Sequence, residues 1–140
     1  MSRIFWDTNL FIYLIEDHGE LSEQVVRLRK RMIERNDDLY TSALTVGEIL
    51  VKPLEAGDEI LCRRYEAAVR QGAMIVSFDV EAARLYAGIR NDRTIRPPDA
   101  IQLACAAQAR VDLFITNDER LSTKSIPRIQ FVSSLPRVFL

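Results

Sequence analysis

Four carboxylates stand out by their surroundings. Asp7 ends the short apolar run Arg3-Ile4-Phe5-Trp6, and Asp118 follows the run Val111-Asp112-Leu113-Phe114-Ile115 by about three residues. Glu48 lies in a mostly apolar stretch with Val46, Ile49, Leu50 and Val51, and Asp99 directly follows Pro97-Pro98. Gaps of 41, 51 and 19 residues separate them, so only a tertiary fold can bring them together. Other chemistries have little to work with. His18 is the single histidine and sits among Glu16, Asp17, Gly19 and Glu20, a solvated loop. Cys62 and Cys105 are the only cysteines, too few for a disulfide framework and without partners at zinc-ligand spacing. Any reaction here must therefore run on carboxylates.

The elements that would position these acids follow from periodicity. Arg3–Trp6 reads as a buried first strand, and residues 9–15 as a short helix. Leu21, Val25, Leu28 and Met32 recur at helical spacing and predict a helix over Leu21–Arg35, stopped by Asn36-Asp37-Asp38. Leu39-Tyr40-Thr41 predicts a second strand. Ser42 is placed to cap a helix through Val46, Ile49 and Leu50, with Pro53 soon after its end. Gly57 separates this from a helix opened by Asp58 and running to about Arg70, with Gly72 placed to follow it. Met74-Ile75-Val76 predicts a third strand. Asp79 caps a helix containing Ala82, Leu85, Tyr86 and Ile89. Pro97-Pro98 opens a helix with the small, apolar body Ala100–Ala109. Val111–Ile115 and Ile129–Val132 predict the fourth and fifth strands.

Short apolar strands alternating with amphipathic helices imply an α/β chain: a three-layer α/β/α fold with a mostly parallel sheet of about five strands. No repeat, low-complexity tract or linker interrupts residues 1–140, which read as one domain. In such sheets the functional site lies beyond the carboxyl ends of the strands, where Asp7 and Asp118 fall. Taken singly, Asp7, Asp99 and Asp118 are also explained as helix-start residues, and Glu48 as a solvated helix residue. Taken jointly, four acids on one sheet edge repel one another unless a cation neutralises them. An all-oxygen site suits Mg²⁺ or Mn²⁺ rather than zinc.

Asp7-Thr8-Asn9, Glu48, the segment Pro98-Asp99-Ala100-Ile101-Gln102-Leu103-Ala104-Cys105-Ala106 and Thr116-Asn117-Asp118, in this order, closely resemble the PIN-domain family. Length and arrangement are most similar to its small bacterial toxins, the VapC ribonucleases of VapBC toxin–antitoxin systems. The resemblance spans essentially the whole chain. It implies that Asp7, Glu48 and Asp99 match the acidic trio that binds the metal. Asp118 matches a fourth acid whose contribution varies, and Thr8, Asn9 and Thr116 match supporting polar residues. It further implies metal-dependent hydrolysis of RNA, leaving a 5′-phosphate and a 3′-hydroxyl. The expected partners are a cognate antitoxin lying in an apolar groove and a second copy of the chain in a homodimer.

The charge balance, 19 Lys+Arg against 20 Asp+Glu, leaves a net charge of -1, so an RNA path needs local basic patches. Arg90, Arg93 and Arg96 precede Asp99 closely and are the better candidates. Arg27, Arg29, Lys30, Arg31 and Arg35 form a second cluster that also reads as a solvated helix face. Glu119 is an extra acid beside Asp118. Apolar residues in Leu10–Ile15, Leu21–Met32 and the tail Leu135–Leu140 fit either core packing or a protein partner.

Composition, 48% hydrophobic and 28% charged, excludes a disordered chain. No apolar run approaches the roughly 20 residues of a membrane span, and Asp7 interrupts any signal-peptide stretch. The expectation is a protein of the reducing cytoplasm. A receiver domain would need adjacent acids after the first strand, where Thr8 and Asn9 stand. A dehalogenase-type phosphatase would need an Asp at position 9. A PIN fold kept only as an interaction module is the non-enzymatic alternative.

Overall fold

The computed structural model describes residues 1–140. Its strands β1 (Arg3–Trp6), β2 (Asp38–Ser42), β3 (Met74–Val76), β4 (Leu113–Thr116) and β5 (Phe131–Ser134) form one sheet in the order β3-β2-β1-β4-β5. Every neighbouring pair is parallel. Alternate residues face opposite layers, as the pleat requires. Ile4, Trp6, Leu39 and Ile115 pack beneath α1 (Thr8–Ile15), α2 (Glu20–Arg35), α3 (Ala43–Glu55) and α4 (Glu59–Gly72). Phe5, Tyr40 and Phe114 pack beneath α5 (Val80–Ile89) and α6 (Pro97–Gln108), with the Phe5 and Phe114 rings stacked at 5.1 Å. The expected three-layer architecture is the observed one.

Local chemistry shifts several boundaries. Arg110 takes a left-handed conformation (φ 52°) and Val111 N–H donates to the Ala106 carbonyl, so Val111 belongs to the cap of α6 and β4 starts two residues later than expected. The same happens before β5. Ile129 N–H donates to the Ile126 carbonyl across Arg128 (φ 70°), which turns Ile126 and Ile129 into the core and starts the strand at Phe131. Pro53 lies inside the last turn of α3 rather than beyond it. The stop comes instead from Gly57 (φ 67°), where Asp58 N–H donates to the Pro53 carbonyl. Gly72 is the last residue of α4, not its cap. Ser42 stands at the N-cap position of α3, but its hydroxyl makes no capping bond; it donates to Gln102 Oε1 at 2.5 Å.

Two features of this topology position the site. The chain leaves β1 toward β2 on one side and later fills β4 on the other, so a crevice opens between the carboxyl ends of β1 and β4. Helices α5 and α6 run antiparallel, since the Gln108 amide at the end of α6 donates to Asp79, the N-cap of α5. The connecting residues 90–96 therefore lie at the Asp99 end of the pair.

Candidate functional site

Asp7 sits in that crevice, immediately after β1. Its N–H still donates to the Ile115 carbonyl (3.0 Å), as if the strand continued. Its carboxylate caps α1, with Oδ1 accepting from Thr8 N–H (2.8 Å) and Oδ2 from the Thr116 hydroxyl (2.9 Å). Asp7 is thus a helix cap and a member of the acidic group at once. Burial pushes its carboxyl up from the ordinary 3.8 to about 6. The bonds from Thr116 and Thr8 pull it down, while the charges of Asp99 and Glu48 push it further up. Thr116, fully buried at the end of β4, also accepts from Asp118 N–H (3.0 Å) and so ties two acids to one hydroxyl.

Glu48 is exposed on α3, but its Oε1 accepts from the Thr8 hydroxyl at 2.6 Å. Asp99 is half-buried in the first turn of α6. Burial, then the charge of Asp118, holds its carboxyl above the usual range, against the pull of Arg120 and Arg96. Asp118 is engaged differently. Arg120 donates to both of its oxygens (Nε to Oδ1, 3.1 Å; Nη2 to Oδ2, 2.8 Å), and this contact keeps its carboxyl below the usual range. Asp7, Glu48 and Asp99 take part in no ion pair. Their mutual repulsion and all-oxygen donor set fit a hard divalent cation. In the conformation described, no three acidic, His or Cys side chains stand close enough to enclose an ion; Asp99, whose carboxylate makes no hydrogen bond, is the acid that would turn toward Asp7 and Glu48 to complete the set.

The remaining expected residues divide. Thr8 and Thr116 bond directly to site carboxylates, whereas Asn9 is exposed on α1 and its side chain makes no hydrogen bond. Arg93 and Arg96 are exposed, and Arg96 is near enough to Asp99 and Asp118 for its charge to act on both. Arg90 is half-buried and donates to the Ile95 carbonyl (2.6 Å), which assigns it to the loop's own structure. On α2, Arg29, Arg31 and Arg35 bond to Gly72 O, Leu140 O and Asp37 respectively, leaving Arg27 and Lys30 as the exposed remainder of that cluster. Glu119 is exposed and turns toward Arg137 at 3.5 Å.

Sequence reasoning missed Gln102, Ser42 and Thr45, all buried and mutually bonded beneath Thr8. The available signal was an amide in the middle of the apolar body of α6, which a buried position obliges to find partners. Beside Glu48 an apolar cleft of about 290 Å³ runs between α1, α3 and α4, lined by Ile12, Ile15, Ile49, Val51 and Tyr65. A larger cleft of about 540 Å³, between α5 and residues 123–127, contains none of the four acids.

The PIN domain family matches residues 4–126 of the sequence. No curated protein matches it at a significant level. Among solved structures it is similar to VapBC2 from Rickettsia felis bound to a DNA fragment from their promoter, with a TM-score of 0.75, 14% identity, and 94% of this chain and 98% of that chain covered. It is also similar to DNA-bound VapBC from Salmonella typhimurium (TM-score 0.65, 21% identity, 96% and 99% covered). A third is a toxin–antitoxin complex from Klebsiella pneumoniae (TM-score 0.64, 22% identity, 90% and 94% covered). At these identities the likeness establishes a common fold.

Proposed function

The chain belongs to the PIN domain family, and on that footing we propose that it is a divalent-cation-dependent endoribonuclease acting as the toxin of a toxin–antitoxin pair. One observation carries the reading. Acids from the end of β1, from α3 and from the start of α6 gather at the sheet's switch point, near enough that the charges of Asp99 and Glu48 both act on Asp7, though no three yet enclose an ion. Solvated helix acids have no reason to share one crevice at the cost of mutual repulsion.

Asp7, Glu48 and Asp99 would hold Mg²⁺ or Mn²⁺, with Asp118 as a fourth acid once Arg120 releases it. When bound, the ion supplies Lewis acidity toward a phosphodiester and lowers the pKa of water. The chain's own residues do the rest. Thr116 and Thr8 fix the rotamers of Asp7 and Glu48. A carboxylate of the trio accepts the proton of the attacking water. Arg93 and Arg96 contact RNA phosphates flanking the scissile bond. Toxin function rests on the similarity to a structure described as a toxin–antitoxin complex and to two VapBC structures. It also rests on the cleft beside Glu48, whose apolar walls fit an antitoxin segment. Exposed Leu14, Val26 and Ile33 on α1 and α2 support a homodimer. The non-catalytic interaction module is favoured by one feature, the engagement of both Asp118 oxygens by Arg120.

The test is cleavage of a pool of end-labelled cellular RNAs by the unsubstituted protein and by Asp99→Asn, each with Mg²⁺, Mn²⁺ or chelator. Metal-dependent cutting by the unsubstituted protein alone, leaving 5′-phosphate and 3′-hydroxyl ends, is the expected result. A 2′,3′-cyclic phosphate product, or equal cutting by both proteins, overturns the proposal.

A further inference from the structure

Gln102 is 1% exposed in a helix whose other buried residues are Ala100, Leu103, Ala104, Cys105, Ala106 and Ala107. An amide in such surroundings carries two N–H donors and a carbonyl, all of which need partners. They find them across the end of the sheet. Oε1 accepts from the Ser42 hydroxyl at 2.5 Å, and Nε2 donates to Thr8 Oγ1 and to Thr45 Oγ1, both at 2.9 Å. Ser42 leaves α3 without its side-chain cap to make this bond.

Proton counting gives the network a direction. Thr8 Oγ1 lies 2.6 Å from Glu48 Oε1, and a carboxylate oxygen only accepts, so the single hydroxyl proton of Thr8 goes to Glu48. The lone pairs of Thr8 are then left to accept, from the Gln102 amide at 2.9 Å and from the Thr45 hydroxyl at 3.1 Å, and the amide nitrogen is the one that can only donate. Were the amide reversed, its oxygen would compete with Glu48 for the Thr8 proton and its N–H groups would face Ser42. The Thr8 proton committed to Glu48 selects the first orientation, and the Ser42 hydroxyl, which can turn either way, satisfies Oε1 in it. The chain of donation therefore runs Ser42 to Gln102 to Thr8 to Glu48, from the end of β2 through α6 and α1 to α3. The same anchor fixes α6, where Asp99 lies three residues earlier on the same helical face.

We infer that Gln102 is a positioning residue of the acidic site: its amide, with Ser42 satisfying its oxygen, donates to Thr8, commits the Thr8 hydroxyl to Glu48 and so sets the carboxylate that would ligate the cation. The inference rests on the reading of Glu48 as a metal ligand and extends it to residues that never touch the ion. Groups that orient ligands in this way commonly change metal affinity by about 10–100-fold when removed.

The experiment measures Mn²⁺ affinity of the full chain by calorimetry and by the electron paramagnetic resonance of free Mn²⁺, with no RNA present. Gln102→Met keeps the length of the side chain and removes both donors; about 10–100-fold weaker binding is expected. Ser42→Ala leaves the core of α6 untouched and should weaken binding in the same direction, which preserves the test if Gln102→Met fails to fold. In a Thr8→Val background Gln102→Met should have no further effect on Mn²⁺ affinity, because the route to Glu48 is already cut. A purely structural role would leave the Gln102→Met loss undiminished in that background. That result, or unchanged binding in both Gln102→Met and Ser42→Ala, overturns the inference while leaving the nuclease reading intact. An unsubstituted protein that binds no Mn²⁺ overturns both.

Discussion

With chelator present, Asp7→Asn is expected to melt at a higher temperature than the unsubstituted protein at neutral pH. Asp7 titrates near 3.8 in an unfolded chain and at about 6 when folded, chiefly because it is buried. The folded state therefore holds a proton that the unfolded state releases between those two values. Where the folded state binds more protons, stability falls as pH rises. The contribution of Asp7 is intact below about pH 4, declines through the interval up to about 6, and is lost above it. The distance from 3.8 to about 6 corresponds to about 3 kcal/mol at 1.36 kcal/mol per pKa unit. Asn removes this penalty. Its carbonyl keeps the bond from Thr8 N–H, but the bond from Thr116 is lost, which costs about 1 kcal/mol beyond the charge effects already contained in the pKa difference. The net gain at pH 7 is then about 2 kcal/mol, or roughly 8 °C in Tm for a domain of this size.

The assay is thermal melting of both proteins from about pH 4 to pH 8 in chelator, followed by the same series in Mn²⁺. The two Tm curves should nearly meet at about pH 4 and separate on rising to about 6. Added Mn²⁺ should raise the unsubstituted protein and leave Asp7→Asn where it was, because a ligand stabilises only the state that binds it. Parallel curves in chelator, or an Asn variant less stable at pH 7, would refute the view that a buried, uncompensated carboxylate sits at the end of β1.

Other perturbations reach the RNA path, the metal site and the core. Arg93→Ala with Arg96→Ala should reduce the dependence of log K on log salt for a single-stranded RNA by about 1.4, two contacts at roughly 0.7 each; Arg90→Ala, which breaks the bond to the Ile95 carbonyl, should leave the salt slope alone and cost about 1 kcal/mol in a urea melt. Asp118→Asn should weaken Mn²⁺ binding far less than Asp99→Asn in calorimetry, since both Asp118 oxygens already serve Arg120. Phe114→Ala removes a fully buried ring stacked on Phe5 at 5.1 Å and should cost about 3–5 kcal/mol by equilibrium denaturation.

Much of the fold was legible because apolar periodicity and stop signals agree in this chain. The α2 stripe, the Asp79 cap and the Pro97-Pro98 start all stand where sequence placed them, and so does β1. The late starts of β4 and β5 share one cause. Arg110 and Arg128 take left-handed conformations that sequence assigns to Gly or Asn, so the turns preceding β4 and β5 left no recognisable mark. In the site, residue type and order identified the carboxylates, because few other polar residues interrupt apolar runs. Their hydrogen-bond partners were harder to see. The Ser42 hydroxyl reads locally as a cap, and only its 60-residue separation from Gln102, closed by tertiary packing, turns it elsewhere. Likewise the spacing of Arg90, Arg93 and Arg96 gave no hint that the first is folded back onto its own loop.

The arrangement at the end of β1 also explains why the polar residues around the acids are so completely bonded. A carboxylate buried beside two others raises the free energy of the folded state, and a mobile one would relieve that cost by turning toward water. Thr116 holds Asp7, Thr8 holds Glu48, and Gln102 with Thr45 holds Thr8, so Asp7 and Glu48 are held against that escape by neutral donors. Neutral hydroxyls and an amide fix position without cancelling charge, whereas a lysine or arginine in the same place would satisfy the carboxylate and leave nothing for a cation to neutralise. The positive charges that do approach, Arg96 and Arg120, stay on the exposed rim, next to Asp99 and Asp118 and away from Asp7. Charge is thus left uncompensated at the bottom of the crevice and compensated at its edge, the distribution expected of a site that takes a cation inside and a polyanion across its mouth.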